Sequence, residues 1–182
     1  MGRPRGLFVG RFQPFHLGHL AVVRDLRRQH PDEELIVGVG SAQLSYTPEN
    51  PFTAGERLEM IVRAAAEEHL EGLLPVPLLD IDRHALWVAY LVSLLPEFRT
   101  VYTSNPLTRE LFVKQGFTVV EVPWHERATL EGRRIRRELA VQGAWVDRVA
   151  PSVRRYLEEI QAPARLALLQ DAPRSPPVGD AP

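Results

Sequence analysis

His16 and His19 stand three residues apart, just after a short apolar run that ends in a glycine, Leu7-Phe-Val-Gly10. On a helix that spacing puts both imidazoles on one face. A helix N-terminus also leaves free N–H groups and carries the positive end of the dipole, so it favours phosphate. Histidines placed there can hydrogen-bond a phosphate as neutral donors or as cations. Arg11, directly after the apolar run, adds a further group suited to phosphate contact.

The elements that must position these residues are legible from periodicity. Leu7–Val9 reads as a buried strand, Gly10 ends it, and Pro14 and Gly18 shape the loop and helix start beyond it. Leu20, Val22, Val23 and Leu26 give the apolar face of a helix from about His16 to Gln29, broken by His30-Pro31-Asp32. Leu35–Val39 is a second continuous apolar strand, suited to a parallel sheet covered on both faces. Residues 40–51 form a polar loop at the C-terminal end of that strand, a natural place for a ligand. Thr53 and Glu56 have capping-box spacing and start a helix through about Glu68. Leu73–Leu79 is a third strand, made irregular by Pro75 and Pro77. Next come a helix over Ala85–Leu95, a strand over Thr100–Ser104, a helix from Asn105-Pro106 to Gly116 and a strand over Phe117–Val122. Arg134–Val141 and Pro151–Ile160 are helices. Strands and helices alternate, which predicts an α/β fold with a doubly wound parallel sheet and C-terminal helices. We expect one domain over residues 1–168. The stretch 169–182, rich in Pro, Ala, Gly, Ser and Asp, is expected to be a disordered tail.

Composition narrows the function. A chain of 182 residues with 45% hydrophobic content supports one real core. No apolar run is long enough to span a membrane and no signal-peptide pattern opens the chain. There is no cysteine, which excludes disulfide and thiolate chemistry and agrees with a cytoplasmic location. The net charge of −1 gives no support for bulk attraction to nucleic acid or membrane. Of 22 basic residues only Lys114 is lysine, and it lies outside any Gly-rich loop, so a Walker-type phosphate loop is excluded. A phosphate-handling site in this chain must use arginine, histidine and backbone N–H groups.

The stretch Gly10-Arg-Phe-Gln-Pro-Phe-His16-Leu-Gly-His19 resembles the (His/Thr)-x-Gly-His signature of the nucleotidyltransferase superfamily. Further blocks occur in order: Gly40-Ser-Ala-Gln-Leu-Ser, Asn50-Pro-Phe-Thr-Ala-Gly-Glu-Arg57, Asp80-Ile-Asp-Arg-His-Ala-Leu-Trp-Val88, Ser104-Asn-Pro106 and Ile135-Arg136-Arg137. Together they resemble the archaeal-type nicotinamide mononucleotide (NMN) adenylyltransferases over roughly residues 5 to 160. The resemblance implies a Rossmann-like fold and transfer of AMP from ATP to NMN, giving NAD and pyrophosphate. The attacking phosphate is already an anion, so the work is positioning and charge neutralisation rather than base catalysis. It also implies Mg2+ held mainly by phosphate oxygens and water, with no metal-ligating residue in the chain, and a homo-oligomer.

The same resemblance implies residue roles. His16, His19, Arg11 and Arg136 are the expected catalytic groups. Gly10, Phe12, Gln13, Gly18, Ser104, Asn105, Arg133 and Ile135 are expected to bind ATP. Ser41, Gln43, Asp80, His84 and Trp87 are expected to bind NMN. An indole face at Trp87 suits the cationic nicotinamide ring through stacking and cation–π attraction. Trp124, His125, His69 and His30 are expected to be structural or surface residues.

Three departures fall in this inferred site. The family's Ser-Gly-Thr is Glu131-Gly132-Arg133, its asparagine before Ala-Leu-Trp is His84, and its glycine before Asn-Pro is Ser104. They leave three other readings open: transfer to nicotinic acid mononucleotide, transfer to another phosphorylated small molecule, and a non-catalytic nucleotide-binding regulator.

Overall fold

The computed structural model describes residues 3–81, 83–123 and 130–171. Five parallel strands form one sheet: β1 (Arg5–Gly10), β2 (Glu34–Val39), β3 (Leu73–Pro77), β4 (Thr100–Thr103) and β5 (Thr118–Glu121). The helices between them are α1 (Leu17–Gln29), α2 (Ala54–Glu67), α3 (His84–Leu94) and α4 (Pro106–Lys114). Helices α5 (Gly132–Ala140), α6 (Pro151–Glu159) and α7 (Ala162–Asp171) come after the sheet, with a 3₁₀ turn at Val146–Arg148.

The strand order is β3-β2-β1-β4-β5. The chain therefore winds outward from β1 to β3, returns, and winds the other way through β4 and β5. This is the doubly wound arrangement expected from the alternation, and its winding direction reverses between β1 and β4. Ligands bind outside the C-terminal strand ends at such a point. Register fixes which side chain faces which layer. Leu7 lies opposite Ile36 and Val101, and all three join Val88, Leu91 and Phe112 of α3 and α4 on one face. Phe8 lies opposite Val37 and Tyr102, which face the layer built by α1, α2 and the three C-terminal helices. Strand alternation alone gives this split.

Local signals act as their chemistry dictates. Thr53 Oγ1 accepts from Glu56 N at 3.2 Å while Glu56 Oε2 accepts from Thr53 N at 2.9 Å, closing the capping box that starts α2. β3 tolerates its two prolines because it is an edge strand paired only with β2. It ends at Pro77 rather than at Leu79, because beyond Pro77 the chain turns to bond the next loop: Leu78 O accepts from Ala42 N at 2.9 Å. Sequence periodicity did not reveal α7 as a helix, although Ala162 and Leu166 are buried in the larger core. Residues 169–171, expected to open a disordered tail, are the last residues of α7. The rest of that stretch lies outside the described residues, as do Trp124 and His125.

One side chain ties the ligand-facing ends of the sheet together. Arg57, with no exposed surface, donates to the carbonyls of Arg11 (2.9 Å), Gly40 (2.7 Å), Ser41 (3.1 Å) and Thr53 (3.2 Å). Burial lowers its pKa to about 10, with Asp80 opposing and Arg11 assisting the shift, so it stays charged at neutral pH. Replacing it with an apolar side chain takes a cationic donor from four carbonyls; Ser41 O and Thr53 O keep the backbone donors Leu44 N and Arg57 N, while Arg11 O and Gly40 O lose their side-chain partner. We expect Arg57→Met to cost at least about 3 kcal/mol in urea unfolding. A loss below about 1 kcal/mol would mean that these carbonyls readily find other partners.

Candidate active site

The loop between β1 and α1 is built from aromatic packing under two histidines. Phe12 adopts a positive φ of 51°, an uncommon conformation for a residue with a side chain. Gly10 makes that possible, since a Cβ there would come within 2.6 Å of the Phe12 ring. Phe12 is buried and meets His19 edge-on, with centroids 4.8 Å apart. Phe15 stacks on the same imidazole at 5.6 Å. His16, the N-cap residue of α1, stacks on His19 with centroids 3.6 Å apart.

The hydrogen bonding sets the state of the pair. His16 N donates to His19 Nδ1 at 3.3 Å, so the proton of His19 belongs on Nε2, where it can donate to a ligand. Burial lowers the His16 pKa to about 3. Burial, then the neighbouring His16, hold His19 well below its ordinary value. Both imidazoles are neutral donors at physiological pH. The two residues have the arrangement of a capping box, although the buried His16 Nδ1 makes no hydrogen bond of its own. Gly18 is buried in the first turn of α1 beside them.

An arginine reaches the same loop from α5. Arg136 donates from Nη1 to Gln13 O at 2.8 Å and from Nε to Pro48 O at 3.1 Å. It reaches the loop because α5 begins at Gly132, whose Cα hydrogen side faces Gln13 O; a Cβ there would lie 3.3 Å from that oxygen. Burial lowers the Arg136 pKa to about 10, and the positive charges of Arg11 and Arg133 push the same way against Glu49 and Glu131. Arg11 thus acts on both Arg57 and Arg136, with Asp80 and Glu56 opposing it at the first and Glu49 and Glu131 at the second. Glu131 is the N-cap of α5 and makes no side-chain cap bond.

A second wall forms where β2 and β3 end. Ser41, at φ 51°, gives its N–H to Asp80 Oδ1 at 3.2 Å. The Gln43 side-chain amide bonds the Asp80 backbone both ways, donating at 3.2 Å and accepting at 3.0 Å. These residues are brought together as expected, with Asp80 as the link between the two loops. His84 is the first residue of α3 and is exposed. Trp87 is half-buried, its ring edge-on to Phe112 at 5.7 Å, so part of the indole belongs to the core.

Several of the residues expected to bind ATP make contacts within the protein. The Gln13 amide spends itself on the Phe52 backbone, donating to the carbonyl and accepting from the N–H, each at 3.0 Å. Ile135 has no exposed surface and packs in the core. Phe12 supports His19 from beneath. Asn105 caps α4, its Oδ1 accepting from Thr108 N at 3.0 Å. Ser104 is half-buried at the end of β4, on the far side of the reversal from the histidine loop. Among the other histidines, His30 C-caps α1 and packs on Tyr102, and His69 lies just beyond α2 at φ 52°.

Sequence reasoning missed the role of Arg57. The signal was present: Arg57 lies on the same helical stripe as Met60, Ile61 and Ala64, so a cation sits on the buried face of α2. A charge in that position must find internal partners.

The comparisons with known proteins agree with this geometry. A family model described as cytidylyltransferase-like matches residues 7–149. The chain is 44% identical over 168 residues to a nicotinamide-nucleotide adenylyltransferase of Methanospirillum hungatei, covering 92% of this chain and 95% of that one. It is 42% identical over 170 residues to the protein of the same name from Pyrococcus furiosus, covering 91% and 88%. In fold it matches the bifunctional NMN adenylyltransferase/ADP ribose pyrophosphatase of Francisella tularensis complexed with AMP and a Mn ion, with a TM-score of 0.73 at 18% identity. That match covers 92% of this chain and 52% of the other, so the chain spans about half the length of the bifunctional protein. By sequence match and by fold, the chain belongs to the cytidylyltransferase-like family, in the branch of the archaeal-type nicotinamide-nucleotide adenylyltransferases.

Proposed function

We propose that this chain transfers AMP from ATP to NMN, giving NAD and pyrophosphate. The observation that carries it is the neutral His16–His19 pair at the N-terminus of α1, set at the winding reversal, with Arg136 bonded to Gln13 O of the same loop. An NMN phosphate oxygen attacks the α-phosphorus of ATP. The new O–P bond forms as the bridge to the β-phosphorus breaks, and pyrophosphate carries away the electron pair. No proton has to be removed from the nucleophile, so a neutral imidazole serves better as a donor than as a base. The Nε2–H of His19 and the free N–H groups of α1 face charge that builds on the phosphates, while the arginines neutralise the leaving group. Ser41, Gln43 and Asp80 frame the acceptor side, and Trp87 offers its open surface to the pyridine ring.

A divalent cation, Mg2+ in this proposal, adds charge neutralisation when bound. The donor set fits one held by phosphate oxygens and water, since no group of three His, Cys, Asp or Glu residues is gathered among the described residues. We also assign a homo-oligomeric state and a cytoplasmic setting. Exposed Leu86, Val92 and Leu94 on α3 support the first. For the second, no helix among the described residues is long and apolar enough to cross a membrane. One observation favours a second acceptor, nicotinic acid mononucleotide: Arg83 and His84 stand at the positive end of α3, where a carboxylate is welcome.

Pyrophosphate release with ATP, a divalent cation and a panel of acceptors tests the function. We expect NMN to give the highest kcat/KM and NAD to accumulate; a higher value for the acid form would reassign the acceptor, and binding without turnover would leave only a regulator. His19→Ala should lower kcat by about 10²–10³-fold, the loss typical of one donor at a developing charge.

The buried imidazoles also set a pH dependence. Turnover should show no acidic limb from either histidine between about pH 5 and 8. Stability should fall as pH drops below about 6.5 and keep falling towards about 3, because in that window only the unfolded imidazoles take up protons. A limb near 6.5 that disappears in His19→Asn would contradict the neutral assignment. Trp87→Ala should raise KM for NMN about tenfold with little change in KM for ATP; equal changes in both would make the indole purely a core residue.

A further inference from the structure

Helix α7 lies outside the residues matched by the family model, yet it reaches the phosphate side of the site. Arg165 makes the connection. Its guanidinium forks onto the Glu56 carboxylate at 2.7 and 2.8 Å, donates to Pro51 O at 3.3 Å, and lies over the Tyr46 ring at 4.8 Å. Tyr46 and Pro51 bracket one loop, so a single side chain holds both of its ends to the start of α2. Between them the loop is closed by Thr47 and Asn50, whose backbones exchange hydrogen bonds at 3.1 and 3.3 Å. Pro48, at the tip of that turn, presents the carbonyl that receives Arg136 Nε.

This ion pair differs from an ordinary surface pair, which contributes little. It is bidentate, and its side chains are only 17% and 15% exposed. The Glu56 carboxylate is in turn held by the Thr53 N–H. Leu166, next to Arg165, and Leu169 wall a cavity of about 260 Å³ whose other lining includes Pro48, Arg133, Arg136 and Arg137. The clasp therefore fixes both the carbonyl that aims Arg136 and the helix that closes off the arginine-lined cavity.

We propose that Arg165 is a positioning residue for Arg136 and, through it, for the terminal phosphates of the bound nucleotide. The inference rests on the reading of ATP as a substrate. Arg165 itself touches no substrate: it holds the 46–51 loop at the height where Arg136 can bridge Pro48 O and Gln13 O with its remaining N–H donors left for phosphate oxygens.

Binding measurements on the full chain separate this from a purely structural role. The probes are the non-cleavable α,β-methylene analogue of ATP and AMP, which lacks the terminal phosphates. Arg165→Ala should bind the ATP analogue about tenfold more weakly while its affinity for AMP stays within about twofold. Glu56→Gln, which keeps the shape of the partner and the Thr53 contact, should shift the same way and decides the matter if Arg165→Ala does not fold. Equal weakening for both probes, or none for either, overturns the proposal. A wild-type chain that binds the analogue but makes no NAD sinks the acceptor assignment and leaves this inference to the binding data; one that does not bind the analogue overturns both.

Discussion

A single buried cation holds the working end of this molecule in shape. Arg57 has no exposed surface, and its donors reach four carbonyls from three segments: the end of the β1 loop, the end of β2 and the cap of α2. Only a planar fork of five donors can serve several acceptors at once from one point. Each carbonyl lies where the backbone leaves a strand or enters a helix, and those of Ser41 and Thr53 also accept from Leu44 N and Arg57 N. The guanidinium joins them, and so fixes how the loop between β1 and α1 stands against the loop that carries Ser41. Asp80, bonded to the Ser41 N–H, adds the nearby negative charge that favours a cation in this place.

Around that strut the site divides its electrostatic labour. The histidines are stacked and neutral, because burial disfavours the charged form of each, and His16 beside His19 disfavours it further there. The arginines keep their charge, yet Arg11 disfavours the charged forms of Arg57 and Arg136 alike. Burial is the larger cause at both guanidiniums, and Asp80 and Glu49 act against it.

Residues that look alike in a motif do different work in space. Gly10, Phe12, Gln13 and Ile135 sit in the blocks that carry the family resemblance. In the structure Gly10 makes room for Phe12, Phe12 supports His19, Gln13 locks the loop to Phe52, and Ile135 anchors α5 in the core. Asn105 uses its side-chain oxygen to start α4. Such side chains shape the site from behind.

The order of elements through α6 and the place of the histidine pair were legible in the residues alone. Apolar runs of strand length alternating with helical stripes specify a parallel sheet, because burial on both faces leaves that pattern. A capping box and a His-x-x-His pair after a strand are local features, readable within a few residues of chain. The cation on the apolar stripe of α2 was equally visible, although its partners were not. Folding in three dimensions was needed to bring Arg57 to carbonyls 16 to 46 residues away, and Arg136 to Gln13 across 123. It was needed too for α7 to return to the loop beside Arg136, where Arg165 meets Glu56 across 109 residues. These pairings depend on how helices pack over the sheet edge. That geometry arises from burying the whole core at once, and no short stretch of sequence contains it.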